Sequence, residues 1–309
     1  RLNTARAGGR GTAQVYSAAY DSPPSTAGAD APVVFVFASG GNLGSAQVGM
    51  LRALVEHGIV PRRVVGTSVG AINGAAYASD PTLAGVEHLE RVWRELDSRD
   101  LVSRASIRNA VALARRGQGL NDHDGLRAVI ERVLRVRRFD ALLLPFECVA
   151  TNVREASEEW FESGDLIDAV LASTSVPVLF PPVEIAGEWY LDGGILKDVP
   201  LTRAVERGAG TIYVLGTGRL AQPWNAPKRP LGMAFQASWI ARKHRFQQDL
   251  AAVPAHVTVH LLPDGDPPAT TKIHDLSHTA EMIDSAYQAS VTYLAATPTP
   301  VPTPRSATG

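Results

Sequence analysis

A serine stands at the centre of Gly66-Thr67-Ser68-Val69-Gly70, a G-x-S-x-G pattern. That spacing suits a nucleophile on a tight, strained strand-to-helix turn, where bulky side chains two residues to either side would clash. Serine is a weak nucleophile near neutral pH and needs a base to take its proton. One acid is well placed by type: Asp192, in Glu188-Trp189-Tyr190-Leu191-Asp192-Gly193-Gly194. An acid at the end of a strand can project at the sheet's C-terminal edge, where sites gather in open α/β sheets. Asp-Gly equally often does no more than open a turn. The residues alone leave both uses open.

A third segment, Ala38-Ser39-Gly40-Gly41-Asn42-Leu43-Gly44, could hold negative charge on successive backbone N–H groups beside a helix N-terminus. Dinucleotide binding fits it poorly. Ser39 occupies the first glycine position of G-x-G-x-x-G, and Val64-Val65 stand where a ribose-binding acid belongs. An oxyanion hole for acyl transfer is the better functional reading. The competing reading is a turn that only packs helix on strand. A Ser-His-Asp triad is the rival chemistry, with His244, His256, His260, His274 or His278 after Asp192. Only about 24 residues separate the glycine turn from the elbow, which leaves little room for the strands such a fold usually inserts there.

Short apolar runs alternating with helical patterns must position these residues. Val33–Phe37, Arg63–Gly66, Phe146–Thr151, Trp189–Leu191, Thr211–Leu215 and Val257–Leu262 read as strands. Gln47–His57, Val69–Ala78, Leu83–Leu96, Gly125–Leu134, Leu201–Arg207, Gly232–Leu250 and Thr279–Ala295 read as helices. Buried strands alternating with helices predict a three-layer α/β/α sandwich around a mainly parallel sheet. Residues 1–31 read as a flexible leader, 32–296 as one catalytic domain, and 297–309, with Pro298, Pro300, Pro302 and Pro304, as a disordered tail.

These three motifs, in this order, resemble the patatin-like phospholipase family. The likeness covers about Val33 to Leu215 and includes Ser173-Thr174-Ser175-Val176-Pro177-Val178-Leu179-Phe180-Pro181-Pro182 ahead of the aspartate. The resemblance implies a Ser–Asp dyad hydrolase without a catalytic histidine, acting on lipid or other acyl esters. It implies Ser68 as nucleophile and Asp192 as base. The N–H groups of Gly40, Gly41 and Asn42 would form the oxyanion hole, and Gly44, Gly66, Gly70, Gly193 and Gly194 would frame the motifs. Two residues depart from the family pattern: Ser39 replaces the first glycine of a triple-glycine turn, and Leu43 replaces an arginine.

Composition narrows the rest. The 309 residues carry 30 basic and 31 acidic side chains, a formal charge of -1, without the basic excess of a nucleic-acid binder. One cysteine, Cys148, excludes an intramolecular disulfide framework; it reads as a buried, inert thiol in an apolar strand. The histidines show no metal-ligand spacing, so no metal and no cofactor are expected. Lack of disulfides points to a cytoplasmic setting, with secretion after leader removal as the alternative. Gly232–Leu250, with Arg242, Lys243, His244 and Arg245, reads first as a packed helix with a solvated basic stretch; a peripheral membrane contact is the alternative. Trp160-Phe161, Trp224 and Trp239-Ile240 read as core or partly covered aromatics before a lipid-facing surface. A non-catalytic lipid-binding module on the same fold is the contrasting function.

Overall fold

Val33–Phe37 forms β1, and alternate residues serve two separate cores. Phe35 and Phe37 face one side of the sheet, and Val34 and Val36 face the other. A strand apolar on both faces is what a helix-covered sheet requires. The computed structural model describes residues 32–97, 100, 122–217, 230–265 and 275–297. The expected leader, most of the expected tail, Trp224 and His274 lie outside them.

The other strands are β2 (Arg63–Thr67), β3 (Phe146–Asn152), β4 (Ser157–Phe161), β5 (Val183–Ile185), β6 (Glu188–Asp192), β7 (Thr211–Leu215) and β8 (Thr258–Leu261). The eight strands form one sheet in the order β5-β6-β3-β2-β1-β7-β8, with β4 also paired to β3. β3, β2, β1, β7 and β8 run parallel, and β4, β5 and β6 are joined antiparallel. The sheet is therefore mixed but mostly parallel, as expected.

On one face lie α1 (Gly44–Glu56), α2 (Val69–Ser79), α3 (Leu83–Glu95), α4 (Asp124–Val133), α5 (Leu166–Ser173) and α8 (Thr279–Ala296). On the other lie α6 (Leu201–Glu206) and α7 (Pro230–Ala251), the latter anchored by Phe246. The amphipathic reading of α3 holds, with Leu89, Val92, Trp93 and Leu96 all buried. α5, β4 and β5 were not anticipated from the sequence patterns.

The register of β3 brings the key strand ends together. β2 pairs with β3 as far as Thr67↔Val149, and β6 takes over at Asp192↔Ala150. β4 occupies the opposite edge, since it pairs with Val149 and Ala150 as well. β2 runs parallel to β3 and β6 antiparallel. Their C-terminal ends thus meet head-on along one edge of β3.

Candidate active site

Ser68 follows β2 directly and caps the start of α2, with φ 55° and ψ −127°. A non-glycine residue held there stores strain that its surroundings must maintain. The flanking glycines have distinct reasons. A Cβ at Gly66 would strike the Gly70 carbonyl across the turn, whereas one at Gly70 would strike the Phe37 and Ala38 carbonyls at the end of β1. Ser68 N–H donates to Ser173 Oγ at 3.0 Å, and Ser173 Oγ donates to the Val149 carbonyl at 2.7 Å. Ser173, the last residue of α5, thus ties the elbow to β3.

Asp192 lies against this elbow. Ser68 Oγ donates to Asp192 Oδ2 at 2.5 Å, and Gly194 N–H donates to Oδ1 at 2.7 Å. The aspartate backbone is fixed as well, by its N–H to the Ser175 carbonyl and by Thr151 Oγ1 on its carbonyl. A Cβ at Gly193 would strike the Val149 carbonyl, so only glycine lets the two backbones approach this closely. Ser68 is 5% exposed and Asp192 2%. Burial holds the Asp192 carboxyl above its ordinary pKa, offset in part by Arg242, Ser68 and the Gly194 amide.

The glycine turn sits beside the elbow because β1 and β2 are neighbours, with Phe37 opposite Gly66. Gly40 precedes a short 3-10 turn over Gly41–Leu43, and Gly44 opens α1 against Val69. A buried polar network fixes the turn. Gln47 Nε2 donates to the Ala38 and Leu215 carbonyls, Asn73 Nδ2 donates to the Gly44 carbonyl and to Gln47 Oε1, and Trp93 Nε1 donates to Asn73 Oδ1. Ser39 Oγ donates to Asp198 Oδ1, and Thr217 Oγ1 donates to the Ser39 carbonyl at 2.9 Å. Leu43 is buried. Such interlocked bonds hold the turn in place beside the elbow.

Among the described residues, no histidine is hydrogen-bonded to Ser68 or Asp192. His260 lies on β8, stacked on Tyr213 and 3.1 Å from Tyr293 Oη, with burial pushing its pKa down to about 4. His278 pairs with Glu281. The histidine linked to the site is His123, whose Nε2 is 3.2 Å from Ser175 Oγ and 3.0 Å from the Pro181 carbonyl.

Three sequence expectations need comment. The basic stretch of α7 is only partly solvated: Arg242 turns toward Asp198 and Arg245 donates to the Leu196 carbonyl. Trp160 and Phe161 are partly covered, by Arg203 and Tyr190 respectively. Cys148 is wholly buried, and burial drives its pKa upward, which disfavours the thiolate. Thr151, Ser173, Asp198 and Arg242, which lie around Ser68 and Asp192, are not marked by the sequence patterns. The Ser173–Pro182 segment was noticed, but nothing in its spacing marks the hydrogen bonds that Ser173 and Ser175 make.

The family model of patatin-like phospholipases matches residues 35–205, more than half of the chain. The chain therefore belongs to the patatin-like phospholipase family. It is 28% identical over 188 residues to patatin-like phospholipase domain-containing protein 7 of Rattus norvegicus, covering 60% of this chain and 14% of that protein. It is 29% identical over 191 residues to lysophospholipase NTE1 of Eremothecium gossypii, covering 59% of this chain and 12% of that protein. The match thus spans only about one-seventh to one-eighth of these much longer relatives. Among solved structures, VipD from Legionella pneumophila shares the fold, with a TM-score of 0.51 and 16% identity over 88% of this chain and 70% of VipD.

Proposed function

We propose that this chain is a serine acyl hydrolase that cleaves carboxylic esters of lipids through a Ser68–Asp192 dyad. The observation that carries the reading is the 2.5 Å bond from a strained, buried Ser68 hydroxyl to a buried Asp192 carboxylate. Ser68 Oγ attacks the ester carbonyl while its proton passes to Asp192. The N–H groups of Gly40, Gly41 and Asn42 stabilise the tetrahedral oxyanion, aided by the positive end of α2. Collapse expels the alcohol, which takes the proton from Asp192. Water then gives a proton to Asp192, attacks the acyl-enzyme, and the acid departs as Ser68 regains its proton. An acid held above its ordinary pKa is a better base for this work than an exposed one.

A lipid ester is the substrate class suggested by the names of the relatives, phospholipase and lysophospholipase. The exposed Met233 and Ile240 of α7, beside Lys243 over Trp239, offer a surface for lipid contact. The test is a p-nitrophenyl ester chain-length series with a phospholipid and lysophospholipid panel, run on wild type and Ser68→Ala. Wild type should turn over at least one ester and be labelled by a serine-reactive phosphonate. Ser68→Ala should lose turnover by about a million-fold and all labelling. Equal rates in the two proteins sink the dyad, and a wild type inert to every ester and to the phosphonate favours a non-catalytic module.

A further inference from the structure

The departure at Ser39 is connected to a residue far along the chain. Leu43 brings no charge to the glycine turn. Ser39 brings a hydroxyl, and that hydroxyl donates to Asp198. The Ser39 N–H also donates to the Asp198 carbonyl, at 2.9 Å. Asp198 Oδ1 in turn faces Arg242 Nη1 of α7 at 3.5 Å. The same guanidinium borders the dyad. A Cβ placed on Gly194 would lie 2.9 Å from Asp192 Oδ1, 3.1 Å from Ser39 Oγ and 3.2 Å from Arg242 Nη1. Gly194 thus leaves open the small space on which base, turn and arginine converge.

The arginine's own bonding does not account for its position. Its side chain is 23% exposed, and among the described residues its buried Nε has no hydrogen-bond partner. An unmet buried N–H carries a cost that must be offset elsewhere. The groups it faces are two acids, Asp192 and Asp198. Other charged groups near this corner are otherwise engaged. Lys197 pairs with Glu158 of β4 and Asp249 of α7, Arg245 donates to the Leu196 carbonyl, and His123 rests on Ser175. Arg242 favours the charged form of Asp192, and Asp198 opposes it.

We propose that Arg242 is a positioning residue of the dyad: anchored by Asp198, its fixed charge supports the carboxylate of Asp192 behind Ser68 and ties it to the glycine turn. The proposal rests on reading Ser68 and Asp192 as nucleophile and base. An opposite charge at this range favours the ionised form of a carboxylic acid. Removing it should hurt most where Asp192 is nearest to protonation.

The experiment combines the pH profile of ester kcat/KM with a 13C carboxyl titration of Asp192, in wild type, Arg242→Gln and Arg242→Lys. In Arg242→Gln the acid limb should move to higher pH, with about a tenfold loss on the acid side of the profile and a smaller loss on its plateau. The carboxyl titration should move the same way, and Arg242→Lys should restore most of both. Should Gln fail to fold, Arg242→Met keeps the aliphatic stem and carries the same expectation. An unmoved titration in a folded variant overturns the proposal. So does a loss uniform across pH that Lys does not rescue, since that marks a purely structural role. The titration needs no turnover, so a wild type inert to every ester would defeat the hydrolase reading while still deciding the role of Arg242.

Discussion

β3 carries one buried carboxylate itself, on Glu147, and three residues later, at Ala150, pairs with the strand that carries another, Asp192. Neither is appreciably exposed to water. Their surroundings differ in the supply of positive charge. Glu147 is gripped by Arg63, Arg203 and Arg207, with both oxygens bonded. Burial works to raise its pKa, but the three guanidinium groups prevail and hold it below its ordinary value. Asp192 has one hydroxyl, one amide and the more distant Arg242, and burial prevails. The two carboxyls therefore shift in opposite directions, Glu147 down under three close guanidinium groups and Asp192 up under its deeper desolvation with one distant guanidinium.

The largest effect expected on this contrast is that of Asp192→Asn. Under the proposed mechanism it removes the proton acceptor, and it keeps the shape. Ester turnover should fall by about 10,000-fold. Stability should not fall with it. A group whose pKa is raised in the fold adds stability below its unfolded pKa of about 3.9 and loses that contribution as pH rises through the folded value. Near neutral pH an ionised Asp192 therefore weighs against the fold, and the amide should leave the melting temperature unchanged or higher. A marked drop in melting temperature would make Asp192 a structural anion like Glu147 and erase the distinction.

Glu147→Gln is the mirror experiment. It strands three arginines around a neutral amide, and breaking a buried ion group costs about 3–5 kcal/mol. Urea titration should show that loss, while the folded fraction keeps wild-type kcat within about twofold. The pH dependence has the opposite sign from that of Asp192. A lowered pKa contributes stability above the unfolded value of about 4.3, and that contribution is lost as pH falls through the folded value. Wild-type stability should thus decline in acid more steeply than that of Glu147→Gln. Parallel acid profiles would mean that the Glu147 carboxyl is not held below its ordinary pKa in the fold.

The two carboxylates were not equally legible in the sequence. The elbow at Ser68 is spelled by local backbone limits, whereas Asp192, in a strand followed by paired glycines, reads equally as the start of a turn and is singled out only by the resemblance to the patatin-like family. The long apolar strands and amphipathic helices were readable for the same reason, since 2.0 and 3.6 residue periods are local. Glu147 drew no notice, because its three partners come from β2, α6 and the residue after α6. Arg242 was taken for part of a solvated run, and only the packing of α7 turns it inward. α5 escaped because Leu166, Ile167 and Ala169–Ser173 are all buried, which blurs any amphipathic period. β4, reading Ser-Glu-Glu-Trp-Phe, looks polar at its start and gains its strand form from pairing with β3.

Ser173 is where the register itself can be tested; its cost in stability should be smaller than that of Glu147→Gln, and its cost in turnover smaller than that of Asp192→Asn. Its hydroxyl accepts from the Ser68 N–H and donates to the Val149 carbonyl, the last β3 residue paired with β2 before β6 takes over. Ser173→Ala leaves a buried donor and a buried acceptor without that partner, at a cost of about 1–3 kcal/mol. The same change frees the elbow to relax from its positive φ, which lengthens the bond from Ser68 Oγ to Asp192. We expect kcat to fall about tenfold with KM unchanged, because misplacing the nucleophile affects attack more than binding. The acid limb of the pH profile should stay where it is, since no charge near Asp192 has changed. That outcome would separate two kinds of support for the dyad, geometric through Ser173 and electrostatic through Arg242. A moved acid limb would mean instead that the elbow's position and the proton affinity of Asp192 cannot be varied independently.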